Sequence, residues 1–231
     1  MKRIVVLSGA GISAESGIKT FRDDDGLWRS HRFEDLATPE AWERNMQLVL
    51  DFYNERRKQL FEVEPNEGHR ALVQLESHFH VDIVTQNVDD LHERAGSKNV
   101  LHLHGELKKV RSTKNPDLVY TLDQWELKKG DTCAEGAQLR PHIVWFGEAV
   151  PNISKAIPIA RKADIMIVVG TSLQVYPAAG LLDYVPSSSP VFLVDPKAMA
   201  SSYLTNVTYI KKTAVNGLPE LVRELINAHS Q

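Results

Sequence analysis

An α/β architecture, with an open parallel sheet covered by helices on both faces and a smaller inserted module, follows from three observations on this 231-residue chain. Five short runs, at residues 4–7, 81–85, 100–103, 165–169 and 191–194, are almost continuously apolar, as strands buried on both faces are. Helix-compatible stretches separate most of them. Residues 108–138 instead collect Ser, Thr, Asn, Asp, Pro and Gly around one apolar patch at 118–122. So long an irregular stretch in a compact domain points to a module with a role of its own.

The first run leads straight into Gly9-Ala10-Gly11 and then a helix-compatible stretch that closes on Phe21-Arg22. A strand, glycine turn and helix in this order can bring backbone N–H groups against a phosphate ester with no side chain in the way. The spacing departs from G-x-G-x-x-G, because the third position is Ala14 and the next glycine is Gly17. The turn alone leaves a nucleotide site and a purely structural role both open. Residues 39–63 and 66–77 read as helices parted by Pro65, whose ring and missing N–H suit a break. Residues 151–163 read as a helical crossover, 178–184 as a shorter one and 218–228 as a final amphipathic helix.

At 42% hydrophobic the chain can bury a full core and carry an insert. Twenty-seven basic against 30 acidic residues leave a formal charge of −3, so no overall field favours nucleic acid or a membrane surface. The first apolar run is too short for a signal peptide, and no stretch approaches the roughly 18 apolar residues of a membrane span. A soluble, cytoplasmic protein is expected, with a monomer as the default. The single Cys133 excludes an internal disulfide.

Ligands of an open parallel sheet bind beyond the carboxyl ends of its strands, and those ends carry the polar chemistry here. Gln86-Asn87-Val88-Asp89-Asp90 follows the second run. Amides offer paired donors and acceptors, and a carboxylate can orient a water, a ribose hydroxyl or a cation. Equally, Asp89 or Asn87 can cap a helix over 91–95. Alternation puts His102 and His104 on one side of the third run, and only His104 stands at its polar end, before Gly105. Imidazole can exchange a proton near neutral pH, which a hydroxyl or amide does poorly. Gly170-Thr171-Ser172 can meet a phosphate and Asp195 a ribose, or both can be ordinary strand exits. With Gly9 and Gly11 they outline a groove of dinucleotide length.

Trp145-Phe146-Gly147-Glu148 suits either core aromatics before a turn or the wall of a groove for an extended peptide. Tyr53 and Arg56 lie three apart on a predicted helix and face one way. They form either a solvated patch or a phenol and guanidinium fork for a carboxylate. A closed zinc site takes Cys or His ligands, commonly in close pairs. The inserted stretch has only Cys133, Ser112 where an early thiolate would serve, and no histidine before His142. No metal is expected, and the module must hold by packing and hydrogen bonds.

Gly9-Ala10-Gly11-Ile12-Ser13 through Phe21-Arg22, Thr85-Gln86-Asn87-Val88-Asp89, Leu103-His104-Gly105, Arg140 through Glu148 and Gly170-Thr171-Ser172 together resemble the sirtuin family of NAD-dependent protein deacylases. The likeness spans nearly the whole chain and is greatest to the bacterial CobB-type members. It implies a Rossmann-like large domain from residues 1–29, 78–107 and 139–231, with NAD in an extended cleft. A helical insertion at 30–77 and a reduced zinc-module remnant at 108–138 would form the small domain. The acylated lysine of a protein or peptide would enter between the two.

By the same resemblance His104 is the catalytic base, acting on the cofactor ribose once nicotinamide has left, with Asn87 and Asp89 at the reacting ribose and carboxamide. NAD contacts fall to Gly9, Ala10, Gly11, Ile12, Glu15, Trp28, Gln86, Gly170, Thr171 and Ser172, with Arg22 as a support. Phe21 would keep water and returning nicotinamide from the reacting sugar. Asp195 corresponds to an adenine-ribose contact where many members have Asn, and Ala214 to a backbone contact with adenine. Substrate contacts fall to Val144, Trp145, Phe146, Gly147, Glu148 and Val175. Tyr53 and Arg56 match the Tyr-x-x-Arg pair of the subgroup that takes succinyl-lysine and malonyl-lysine. Where the family has two Cys pairs holding zinc, this chain keeps only Cys133. The resemblance thus implies zinc-free, NAD-dependent lysine deacylation of acetyl, succinyl and malonyl groups. Protein ADP-ribosylation and NAD binding with weak turnover are the alternatives.

Overall fold

The structure is a computed structural model that describes residues 1–19, 32–171, 173, 176–198 and 206–229. Phe21, Arg22, Trp28, Ser172 and Val175, all expected at the cofactor or substrate, lie outside the described residues. The strands run in chain order as β1 Arg3–Ser8, β2 His80–Thr85, β3 Val100–His102, β4 Gly105–Ser112, β5 Val119–Thr121, β6 Leu139–Ile143, β7 Ile165–Val169, β8 Val191–Val194 and β9 Val207–Ile210.

One sheet has the order β3-β2-β1-β7-β8-β9 with every pair parallel. Successive side chains of a strand point to opposite faces, and both faces are covered. Ile4, Val6, Ile83, Ile167 and Val169 meet the helices Glu67–Leu75 and Ala214–His229 through Leu72, Leu75, Leu218 and Leu221. Val5, Leu7, Val84, Met166 and Val168 meet the helix Ile153–Ala160 and the 3-10 helix Ala179–Tyr184 through Ala156, Ala160 and Leu181. Each fully buried large aliphatic side chain contributes about 1.5–3 kcal/mol, which is why these runs carry no polar alternation. Strand order reverses between β1 and β7, where an open parallel sheet leaves a crevice at its carboxyl end.

The second sheet is antiparallel, with order β5-β4-β6. Leu107, Val110, Leu139 and Ile143 from it share a core with Trp42, Val49, Leu50 and Tyr53 of the helices Pro39–Arg44 and Met46–Glu62. The helical insertion and the small sheet therefore pack as one body, with Trp145 and Cys133 inside it.

Three local readings change. The stretch 39–63 is two helices, because Asn45 turns out of the first and its side chain accepts the Leu48 N–H at 3.1 Å to cap the second. The glycine turn opens into two short 3-10 turns, Ala10–Ile12 and Ala14–Ser16, closed by Gly17 at φ +99°, in place of the expected helix. A sixth parallel strand, β9, sits at the sheet edge, its short and half-exposed sequence giving no continuous apolar run. Among the described residues no helix is long and apolar enough to cross a membrane.

Candidate active site

The loops after β1 and β7 touch, and glycine is what lets them. The Gly9 N–H donates to the Val169 carbonyl at 3.0 Å and the Gly11 N–H to the Gly170 carbonyl at 2.9 Å. A Cβ on Gly11 would lie 2.6 Å from the Gly170 Cα. Gly170 itself has φ +62°, and its Cβ would lie 2.3 Å from the Ile12 nitrogen. The N–H groups of Gly9 and Gly11, expected to face a phosphate, are therefore engaged between the two loops. These glycines serve by bringing the backbones together, and the three-residue 3-10 turn that follows has no helix field of consequence.

The 86–89 loop is fastened onto this junction from the β2 side. The Asn87 side-chain amide donates to the Gly9 carbonyl at 3.1 Å and to Ser13 Oγ at 3.2 Å. Ser13 donates to Asp89 Oδ2 at 3.0 Å, and the other Asp89 oxygen accepts the Leu91 N–H at 3.2 Å. Asp89 thus holds the first N–H of the helix Leu91–Ala95, whose N-cap position is Asp90, from one residue further back. Burial pushes its carboxyl above the usual range, against the pull of the Leu91 and Ser13 hydrogen bonds. Gln86 reaches across to Thr171 Oγ1 at 3.0 Å and so ties the loop to the β7 exit.

His104 stands just beyond β3 and donates its Nδ1–H to the Gln86 carbonyl at 3.1 Å. That bond leaves the lone pair on Nε2. Burial pulls the imidazole below its ordinary value, opposed by the Gln86 carbonyl, so the ring is neutral near pH 7. His102, on the same strand, donates to the Asn87 carbonyl at 2.8 Å and faces Glu93 Oε1 at 2.8 Å. Burial opposes its charge, but the Glu93 hydrogen bond and charge outweigh it and raise the imidazole above the ordinary value. Two histidines two residues apart hold successive carbonyls of one loop, one imidazole held below its ordinary value and the other above it.

Sequence reasoning assigned no role to the polar side chains beneath this loop. Ser13, His69, His92 and Ser8 are buried. Ser8 donates to Thr85 Oγ1 at 2.8 Å and faces His92 Nε2 at 2.9 Å. His69 accepts the Asn66 N–H at 3.3 Å and packs edge-on against His92, ring centroids 5.0 Å apart. Single polar residues within apolar runs are the only signal that could have marked them.

Glu15 accepts the Val215 N–H at 3.4 Å beside Ala214, the buried first residue of the last helix. Asp195 makes a turn after β8 and accepts the Lys197 N–H at 2.8 Å, at the same sheet end as Gly170. Tyr53 is buried, which removes the solvated-patch reading for it, and accepts the Trp145 indole N–H at 3.1 Å. Arg56 lines a narrow cavity with Ala10, Ile18, Asn87, Asp89 and Leu107. Val144 pairs with the His104 carbonyl at 2.9 Å. Phe146 and Gly147 are exposed, whereas Trp145 is buried. Glu148 is held by Arg140 at 2.7 and 3.1 Å and by the Trp145 backbone N–H at 2.8 Å. Trp145 and Glu148 are thus locked to Arg140, while the exposed Phe146 packs on Phe33 with ring centroids 4.6 Å apart.

The family model described as the Sir2 family matches residues 9–177, which takes in the glycine junction, the 86–89 loop, His104 and the module. The chain belongs to the Sir2 family. It is 55% identical over 232 residues to an NAD-dependent protein deacylase of Helicobacter pylori (strain ATCC 700392 / 26695), covering all of both chains. A solved complex of a Sir2 homolog with NAD superposes with a TM-score of 0.88 at 39% identity, covering 99% of this chain and 91% of the other. A Sir2 structure with a deacetylated p53 peptide and 3′-O-acetyl-ADP-ribose matches with a TM-score of 0.79 at 28% identity, covering 97% and 92%.

A sirtuin's dinucleotide fits what this chain offers, since any Cβ at Gly9, Gly11 or Gly170 would close the approach between the loops that border the crevice. Zinc does not fit. Cys133 Sγ–H donates to Ser112 Oγ at 3.3 Å, and among the described residues no group of three or more His, Cys, Asp or Glu side chains is placed to hold a metal. Arg57 binds the module instead: fully buried, it donates to the Leu107 and Trp125 carbonyls at 2.6 Å each and to Asn54 Oδ1 at 2.9 Å.

Proposed function

We propose that this chain is an NAD-dependent protein-lysine deacylase that removes acetyl groups and the acidic acyl groups succinyl and malonyl. The tautomer of His104 carries the reading: a neutral ring with Nδ1–H donated to Gln86 is a base only through Nε2. NAD, when bound, supplies a glycosyl bond whose cleavage releases nicotinamide and an ADP-ribose that accepts the acyl group. Asn87, Asp89 and Ser13, already hydrogen-bonded to one another, form a preorganised polar floor for that sugar. His104 takes a proton from a ribose hydroxyl at Nε2. Thr171 and Gln86 hold the β2 and β7 exits at a fixed separation.

Arg56 supports the acidic-acyl part, because it lines the same cavity as Asn87 and Asp89. A carboxylate on a short acyl chain reaching that cavity would meet a guanidinium beside the Tyr53 phenol. In this reading the acyl-lysine enters between the large domain, residues 1–29, 78–107 and 139–231, and the small domain, residues 30–77 and 108–138. The enzyme works as a cytoplasmic monomer on proteins or peptides, without nucleic acid or membrane, as its charge of −3 favours.

Product identity tests the reading. Incubation with NAD and an acyl-lysine peptide should yield nicotinamide, the peptide with its lysine deacylated, and O-acyl-ADP-ribose in equal amounts. ADP-ribosylated protein without deacylation would replace this function with transfer, and retained NAD binding without turnover would reduce it to a binding module. For acyl choice, Arg56→Met should lower kcat/KM for succinyl-lysine more than for acetyl-lysine.

A further inference from the structure

Tyr53 is oriented by a neighbour buried with it in the core of the small body. Trp145, two residues past β6, donates its indole N–H to the Tyr53 hydroxyl at 3.1 Å, and the two residues are only 2% and 5% exposed. An indole nitrogen only donates, whereas a phenol oxygen has one proton and two lone pairs. The bond therefore uses Tyr53 as an acceptor and leaves its proton for another partner. Among the described residues no acceptor is hydrogen-bonded to that proton. A group that accepts one hydrogen bond donates the next more strongly. Burial pushes the phenol up to about 12, so it remains a neutral donor.

Trp145 is itself immobilised. The Arg140 guanidinium lies 3.3 Å from its ring centroid, and its backbone N–H donates to Glu148, which Arg140 also clamps. The Trp42 ring packs 5.7 Å away. Such a frame fixes the direction of the indole N–H and hence of the phenol proton.

We propose that Trp145 is a specificity-determining positioning residue, which by donating to the Tyr53 oxygen makes the phenol a dedicated donor to a carboxylate on the acyl chain, beside Arg56. The inference rests on the acidic-acyl reading above. An acetyl group has no carboxylate to receive that proton and gains nothing from it.

The test compares kcat/KM on one peptide carrying succinyl-lysine or acetyl-lysine, for wild type, Arg56→Met, Tyr53→Phe, Trp145→Phe and the Tyr53→Phe/Trp145→Phe double variant. Trp145→Phe should lower the succinyl-to-acetyl ratio about three- to tenfold, as loss of one hydrogen bond of ordinary net strength does, and mainly through KM. The double variant should fall no further than Tyr53→Phe alone. An unmoved ratio, or losses that multiply in the double variant, overturns the role of Trp145. Arg56→Met reads the underlying assignment separately: an unchanged ratio there rejects acidic-acyl recognition whatever Trp145 does. A second measurement uses the wild type, in case Trp145→Phe does not fold. Of the four tryptophan indole N–H resonances, that of Trp145 should shift with a succinyl-lysine peptide and stay with an acetyl-lysine peptide. An equal response to both overturns the inference.

Discussion

His104 gives its Nδ1–H to the main-chain carbonyl of Gln86 at 3.1 Å, and Gln86 gives its side-chain amide to Thr171 at 3.0 Å. One residue thus sets the tautomer of the proposed base and ties the β2 exit to the β7 exit. His104→Ala should keep the fold and most NAD affinity while lowering deacylation about a hundredfold or more. Because burial lowers the imidazole, the acid limb of the wild-type rate should lie below pH 6.5 and disappear in the variant. Near-normal turnover by a folded His104→Ala protein would rule out the assignment.

Asn87 joins the Gly9 carbonyl to Ser13, and Ser13 joins Asp89. Asn87→Ala frees all three from their positions. Nicotinamide release should fall on the order of a hundredfold, since displacements near 1 Å at a reacting centre are costly. Urea unfolding should show a loss of about 1–3 kcal/mol from the unpaired buried carbonyl. Unchanged kcat/KM would mean that the network is structural only.

Gly170→Ala should cost more than about 2 kcal/mol, because φ +62° strains any Cβ and this one meets the Ile12 nitrogen at 2.3 Å. NAD affinity, read by calorimetry, should fall with it as the two loops part. Gly130→Ala is the control: its φ of +100° is strained, yet nothing lies within 4 Å. It should cost about 1 kcal/mol and leave NAD affinity as it is.

The module should ignore chelators. Its unfolding temperature and activity are expected to be the same with and without EDTA, and stoichiometric zinc in the purified protein would contradict this. Arg57→Met, by contrast, leaves the Leu107 and Trp125 carbonyls without their donor and should cost about 2–4 kcal/mol. A loss below about 0.5 kcal/mol would show that apolar packing suffices.

Acid should destabilise the fold before its carboxylates titrate. Burial pulls His69 down to about 4, helped by the charge of Arg70, and holds His92 well below the ordinary value. The unfolded chain therefore binds more protons than the folded one below about pH 6.5, and stability falls as pH drops. His69 alone contributes on the order of 3 kcal/mol over that range. His102 has the opposite sign: its raised pKa gives stability that is full below about pH 6.5 and lost as pH rises through the folded value. Calorimetric unfolding temperatures should decline from pH 6.5 towards pH 5. A flat profile there would place the His69 and His92 rings in contact with solvent.

Much of the architecture was legible because burial on both faces writes itself into a strand. The runs at 4–7, 165–169 and 191–194 admit no polar residue and that of β2 only Asp82 before its terminal Thr85, and each ends where water, and so chemistry, begins. The edge strand β9 was missed for the converse reason: half-exposed, it carries Thr208 and Tyr209 among its apolar residues. The break at Asn45 was missed because one capping amide, worth about 1 kcal/mol, hardly marks a stretch otherwise made of good helix formers.

The Rossmann-like sheet was readable from the apolar runs, since short-range patterns record which backbone must be buried and where it must turn, whereas the family and NAD-dependent deacylation came from the resemblance that the joined motifs carry, with His104 as a candidate base. Tertiary structure alone decided the partners. It put Gly9 and Gly11 against Gly170, closing N–H groups that a motif would assign to phosphate. It also turned Arg57 inward while Arg56, one residue away, faces the cavity. Hydrogen bonds such as Trp145 to Tyr53, 92 residues apart, leave no periodic trace, because their energy depends on distance and angle between groups that meet only once the chain has folded.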